Sequence, residues 1–200
     1  MEPPILTRIR ITDMPEIGAH DLGQCVLVTR DLGKTVRSAL EKHLARSHGG
    51  LCLDFSGVVV IDFGCAEEIV CKLVSKVIAD VPGKYIVLEH LEVGPKENIR
   101  EVMEGQRLSV LYRTPEGGWE CLGLMQKSWI PVFERVVANG YGDAGTIAGQ
   151  LAIPVTRVTP SLRRLSVVRL LWQQEPPTSG LQPLYELVGG KDGKHIRDLA

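Results

Sequence analysis

Two hundred residues, 44% of them hydrophobic, suffice for one or two packed domains and exclude wholesale disorder. The net charge is only −1, but it is unevenly placed: residues 126–200 carry nine Lys and Arg against six Asp and Glu, and residues 1–125 carry 14 against 18. No stretch nears the roughly 20 apolar residues of a membrane helix, and MEPPILTRIR lacks a signal peptide's apolar core, so a cytoplasmic protein without membrane contact is expected.

The chain opens on a short strand, ILTRIRI, with Ile5, Thr7, Ile9 and Ile11 on one parity. Residues 24–29 (QCVLVT) form a second apolar strand, and Asp31 is placed to cap the helix that follows. That helix aligns Val36, Leu40 and Leu44 and stops at His48-Gly49-Gly50. A fully apolar strand then runs from Leu51 to Phe55, and a turn at Ser56-Gly57 leads to a second run, Val58 to Ile61. Asp62 opens a long helix whose buried face carries Cys65, Ile69, Leu73 and Val77. Lys84 to Val93 is a further strand, and Gly94 to Glu104 is a helix with Pro95 in its first turn. Arg107–Arg113 and Trp119–Leu124 flank Pro115-Glu116-Gly117-Gly118 as a hairpin. Buried strands alternating with helices indicate an α/β layered domain over residues 1–125.

The segment LDFSGVVVIDFGCA, Leu53 to Ala66, resembles the signature of STAS-type domains, and is closer to a STAS-like group of bacterial proteins of uncertain role than to the antagonist branch. The resemblance implies a β-sheet backed by helices, covers about residues 20–115, and implies contact with a protein partner or ligand. The positions that carry it are Asp54, Ser56, Asp62, Phe63 and Gly64. In the antagonist branch of that family a serine two residues after the aspartate accepts phosphate. Gly64 stands there, preceded by Phe63, so phosphorylation by that route is not carried over. From spacing alone Asp62 reads as a helix N-cap; the sharper reading is a contact at the helix start.

Residues 126–200 form a second domain. Gln126 to Asn139 is a helix with Trp129, Val132, Phe133 and Val136 on its apolar face, and residues 139–143 are a loop. In TIAGQLAIPVTRVTPSLRRLSVVR, Ile147, Ala148 and Leu151 mark one short helix, which Ile153-Pro154 breaks. Val155, Val158, Leu162 and Leu165 mark a second helix, and between them lie Thr156, Arg157, Thr159, Ser161, Arg163 and Arg164 with no acid. Arginines neutralise phosphates and hydroxyls bond to them, so this face suits a phosphate-lined groove.

The stretch resembles the helix-turn-helix of bacterial winged-helix regulators. The recognition helix would run from Val155 to Leu165. The wing would run from Val167 to Gln174 and return through Leu184 to Val188, with Pro176, Pro177, Ser179 and Gly180 at its tip and Arg169 at its root. Pro160 departs from the pattern, since a proline costs about 3 kcal/mol in a helix interior. Either it is accommodated, or the helix proper begins there with Thr159 as N-cap. Residues 189–200 are polar and expected to fray.

No catalytic set emerges. His20, His43, His48, His90 and His195 form no HxH or HExxH pattern, and neither GxxxxGK[ST] nor GxGxxG occurs. Cys25, Cys52, Cys65, Cys71 and Cys121 are odd in number and lack a CxxC pair, which argues for free thiols and against zinc. Cys65 reads as core, although a helix start lowers a thiol pKa. The expectation is a non-enzymatic regulator without metal or cofactor, which binds double-stranded DNA as a homodimer and meets a protein partner through its first domain. The alternative is an adaptor in a partner-switching system that uses the winged helix for protein docking.

Overall fold

The apolar runs become adjacent strands. The computed structural model describes residues 3–18, 24–174 and 182–199. Strands β1 (Leu6–Arg10), β3 (Gly50–Asp54), β5 (Tyr85–Glu89) and β6 (Ser109–Arg113) run parallel. β7 (Trp119–Gly123) adds antiparallel beyond β6, and β11 (Ile196–Asp198) adds parallel beyond β1, giving the order β11-β1-β3-β5-β6-β7. Gly50 lies at φ 124°, where any side chain would overlap the Tyr85 backbone, so this residue sets the closeness of β3 and β5.

Parallel strands need cover on both faces, and all five residues of β3 and of β5 are buried. The first face is covered from within residues 25–105. Its cover is α1 (Arg30–Arg46), α2 (Phe63–Ala66), a π-turn (Glu67–Cys71), α3 (Lys72–Asp80) and α4 (Val93–Gly105), with a small parallel pair, β2 (Cys25–Leu27) and β4 (Val58–Ile61). The π-turn answers a conflict in the sequence. Cys65, Ile69, Leu73 and Val77 repeat every four residues, a stripe that drifts around a helix of 3.6 residues per turn. The wider π-turn takes up the drift, and all four stay at most 1% exposed.

The second face is covered by the C-terminal part. Leu6, Cys52, Tyr85, Val87, Leu111 and Trp119 of the sheet share one apolar core with α5 (Ile130–Asn139), α6 (Ala144–Leu151) and α7 (Val155–Val167). A second sheet, of order β8-β10-β9, joins Tyr141–Gly142 (β8), Leu171–Gln174 (β9) and Leu184–Leu187 (β10). The link from β10 to β11 is tied to the large sheet. Trp119 Nε1 donates to the Lys191 carbonyl at 2.9 Å and Arg113 to the Asp192 carbonyl at 3.0 Å. A side chain at Gly189 would overlap the Trp119 ring.

Several local expectations change. The first long helix is capped by Thr29, whose Oγ1 accepts from Leu32 N, and Asp31 lies inside the first turn. The strand expected to reach Val93 stops at Glu89, because His90 turns into a left-handed conformation (φ 55°) and Val93 opens a helix. The loop at 139–143 contains β8. The tail expected to fray instead supplies β11, hydrogen-bonded to β1. No helix among the described residues is long and apolar enough to cross a membrane.

Candidate nucleic-acid interface

Asp143 starts α6 by accepting hydrogen bonds from Gly145 N (2.8 Å), Thr146 N (2.9 Å) and Thr146 Oγ1 (2.6 Å). Those bonds hold its carboxyl below the usual 3.8. Ala152, left-handed at φ 53°, ends α6 and turns the chain sharply into α7. Pro154 is the N-cap of α7, and the helix runs unbroken through Pro160. Thr159 is therefore not a cap; its hydroxyl donates back to the Val155 carbonyl at 3.1 Å. Pro160 deprives the Thr156 carbonyl of a helical donor, but both residues are exposed, where that loss costs less than it would in the interior.

The buried stripe of α7 is Val158, Ser161, Leu162 and Leu165. Thr156, Arg157, Arg163 and Arg164 are exposed and Thr159 is half-buried. Arg163 and Thr156 border a 530 Å³ hollow on one flank. Arg157 borders a 720 Å³ hollow on the other, shared with Trp129 and Gln126, and Arg164 borders both. Arg157, Arg163 and Arg164 have no ion-pair partner among the described residues, and α7 bears no carboxylate. The helix is thus an outward ridge carrying three uncommitted guanidinium groups.

Two expected contact residues lie elsewhere. Ser161 is 6% exposed and donates to the Arg157 carbonyl at 3.2 Å, so its hydroxyl faces the core side. Arg169 follows the helix at φ 65°, which turns its side chain inward; its guanidinium sits 5.8 Å from the centre of the Tyr85 ring. The helix expected to end at Leu165 runs on to Val167, so the first strand expected from Val167 begins only at Leu171 (β9); the returning strand is β10, Leu184–Leu187, and Pro176, Pro177, Ser179 and Gly180 lie outside the described residues.

The five residues singled out in the first part have different neighbours. Asp54 is buried at the end of β3, where its Oδ1 accepts from Ser56 N (2.9 Å), Ser56 Oγ (2.6 Å) and His90 Nδ1 (2.8 Å). Burial pushes its carboxyl up, but the Ser56 and His90 bonds more than offset this and leave it below 3.8. Asp62 caps α2: Oδ1 accepts from Cys65 N and Oδ2 from Thr29 N at 2.9 Å, which binds Thr29 in its strained φ of 81°. Phe63 is 49% exposed beside it, and Gly64 is half-buried. The Cys65 thiol donates to the Thr29 carbonyl, and burial pushes it up to about 11, so it is not a ready nucleophile.

The chain matches no family model, no curated protein and no solved structure.

Residue type alone does not reveal the buried charges. Glu89 (1% exposed) is gripped by Arg8 at 3.1 Å and Arg113 at 3.2 Å. Glu68 (0%) faces Arg30, Arg37 and Lys72. An available signal for Glu89 is its parity: it lies two and four residues after Val87 and Tyr85, both of which face the second core.

Proposed function

We propose that the chain is a DNA-binding regulator whose C-terminal part acts as a winged helix and whose N-terminal part is a STAS-like sensing or interaction domain. The observation that carries this reading is the outward ridge of α7, with Arg157, Arg163 and Arg164 unpaired among the described residues. The order α6, tight turn, α7, then the β9–β10 pair supports it. Thr156 and Thr159 add hydroxyls for phosphate oxygens, and guanidinium groups suit phosphates or guanine edges. One module reads one half-site, so a homodimer on two half-sites follows.

The test is duplex binding across salt concentrations by the full chain and the Arg163→Gln/Arg164→Gln double variant. Each lost phosphate contact lowers the slope of log K against log salt by about 0.9, so a fall near 1.8 is expected. An unchanged slope in a folded double variant rejects the interface.

One observation favours the adaptor reading. Val26 (46%), Val60 (44%) and Phe63 (49%) are exposed, and Val26 pairs with Val60 across β2 and β4. Such an apolar surface suits a protein partner. Loss of partner binding in Phe63→Ser, with DNA binding intact, would assign this face separately from α7.

A further inference from the structure

The 720 Å³ hollow between α7 and the start of α5 holds more than a duplex backbone uses, since phosphates call for charge and not for an aromatic ring. Arg157 and Arg164 supply its charge. They are seven residues apart, so they stand about 10 Å apart on nearly the same side of α7. They are the only charged residues that line the hollow among those described, and neither has an ion-pair partner there.

Trp129 faces them from the other element. Its backbone is fixed: the amide donates to the Gln126 carbonyl at 2.9 Å, and the carbonyl accepts from Phe133 N at 2.8 Å. The indole packs in part against the second core and in part borders the hollow. Among the described residues it makes no side-chain hydrogen bond, and no cation lies over its ring. Pro131, Ile153 and Val168 extend the apolar surface around it.

An aromatic ring beside two unpaired guanidinium groups matches a single nucleic-acid strand, whose phosphates meet the cations while a base stacks on the ring. A duplex keeps its bases stacked inside and offers this flank only its backbone. A free mononucleotide carries phosphate on one side of its base, whereas a nucleotide within a strand has one on each side. That spacing suits two separated arginines. We propose that this hollow takes an unpaired nucleotide at a duplex end or junction, its base on Trp129 and its flanking phosphates on Arg157 and Arg164. The inference rests on the DNA-binding reading of α7 and names the form of nucleic acid that this flank recognises.

The test is fluorescence anisotropy with the full chain at one salt concentration. The probes are a labelled blunt duplex, the same duplex with a short single-stranded thymidine tail, and the same duplex with an abasic tail of equal length. Both tailed forms are made with 5′ and with 3′ polarity. In at least one polarity the thymidine tail is expected to bind about fivefold or more tighter than the abasic tail, the factor for one base stacked on an aromatic ring. Trp129→Leu keeps an apolar side chain against the core, and should bring the two tails to equal affinity while leaving the blunt duplex unchanged. The abasic comparison uses the unaltered protein, so it decides even if that variant does not fold. Equal binding of thymidine and abasic tails in both polarities overturns the inference, and blunt-duplex binding then still stands for the DNA reading. An undiminished thymidine gain in folded Trp129→Leu also overturns it. Absence of binding to every probe rejects both.

Discussion

The arginines of the two halves live in opposite circumstances. In the first half Arg8, Arg30, Arg37 and Arg113 converge on two carboxylates withdrawn from water, Glu89 and Glu68. On α7, Arg157, Arg163 and Arg164 face solvent with no carboxylate on their helix. The residue type is the same; what differs is whether a buried partner has already claimed its hydrogen bonds. A committed guanidinium holds the fold, whereas an uncommitted one is available to an outside phosphate. A charge count by segment does not separate the two, but the pairing does.

The sharpest challenge to this contrast is a substitution in the core that both halves share. Leu162 is fully buried on α7, in the same cluster as Cys52 and Val87 of the sheet. Leu162→Ala should destabilise by about 3 kcal/mol, within the 2–5 expected for such truncations. Urea unfolding followed by the fluorescence of Trp119, Trp129 and Trp172 together and by far-UV dichroism should shift in a single transition. Two separated transitions would show that the halves unfold independently.

Glu89→Gln comes next. Breaking a buried ion pair by removing one partner costs about 3–5 kcal/mol, but Arg8 and Arg113 are each 26% exposed and water partly relieves them. The expected loss is about 2 kcal/mol in urea midpoints. A loss under about 0.5 kcal/mol would place these arginines in the same class as those of α7.

Acid gives a smaller effect with a fixed sign. The carboxyls of Asp54 and Asp62 sit below their unfolded value of 3.8; in each, burial pushes up and hydrogen bonds pull further down. The folded state therefore binds fewer protons than the unfolded one just below that value. Their contribution is complete above about pH 4 and is lost as pH falls through the lowered folded values. Asp62→Asn should flatten the fall of urea midpoint with acid below that point; an unchanged acid limb would count against the Thr29 and Cys65 contacts as its source.

Much of this architecture was legible in the chain. The apolar runs at Leu51, Val58 and Tyr85 and the helical stripes between them fall where expected, because burial on a strand or a helix face leaves a periodic trace. What covers the sheet's second face leaves none: Cys52 and Val87 read as core without saying which helix meets them. β11 is three residues, Ile196 to Asp198, two of them charged, and its strand state comes from pairing with β1. At the candidate interface the spacing of Val158, Ser161, Leu162 and Leu165 already places Ser161 on the buried stripe, a signal that its hydroxyl chemistry obscured. Arg169 had no such signal, since a backbone turned to φ 65° is not written in composition.

The smallest expected change in stability bears most directly on function. Arg163 and Arg164 are exposed and hold no carboxylate, so Arg163→Gln and Arg164→Gln should each move the urea midpoint by less than about 0.5 kcal/mol. The same double variant is expected to change the salt slope of DNA binding. Stability and binding are thus predicted to part at these positions and to fall together at Leu162, where loss of packing removes the ridge itself. If Arg163→Gln instead unfolds the chain as readily as Glu89→Gln, the guanidinium is structural. The helix face would then have no charge to spare for a phosphate.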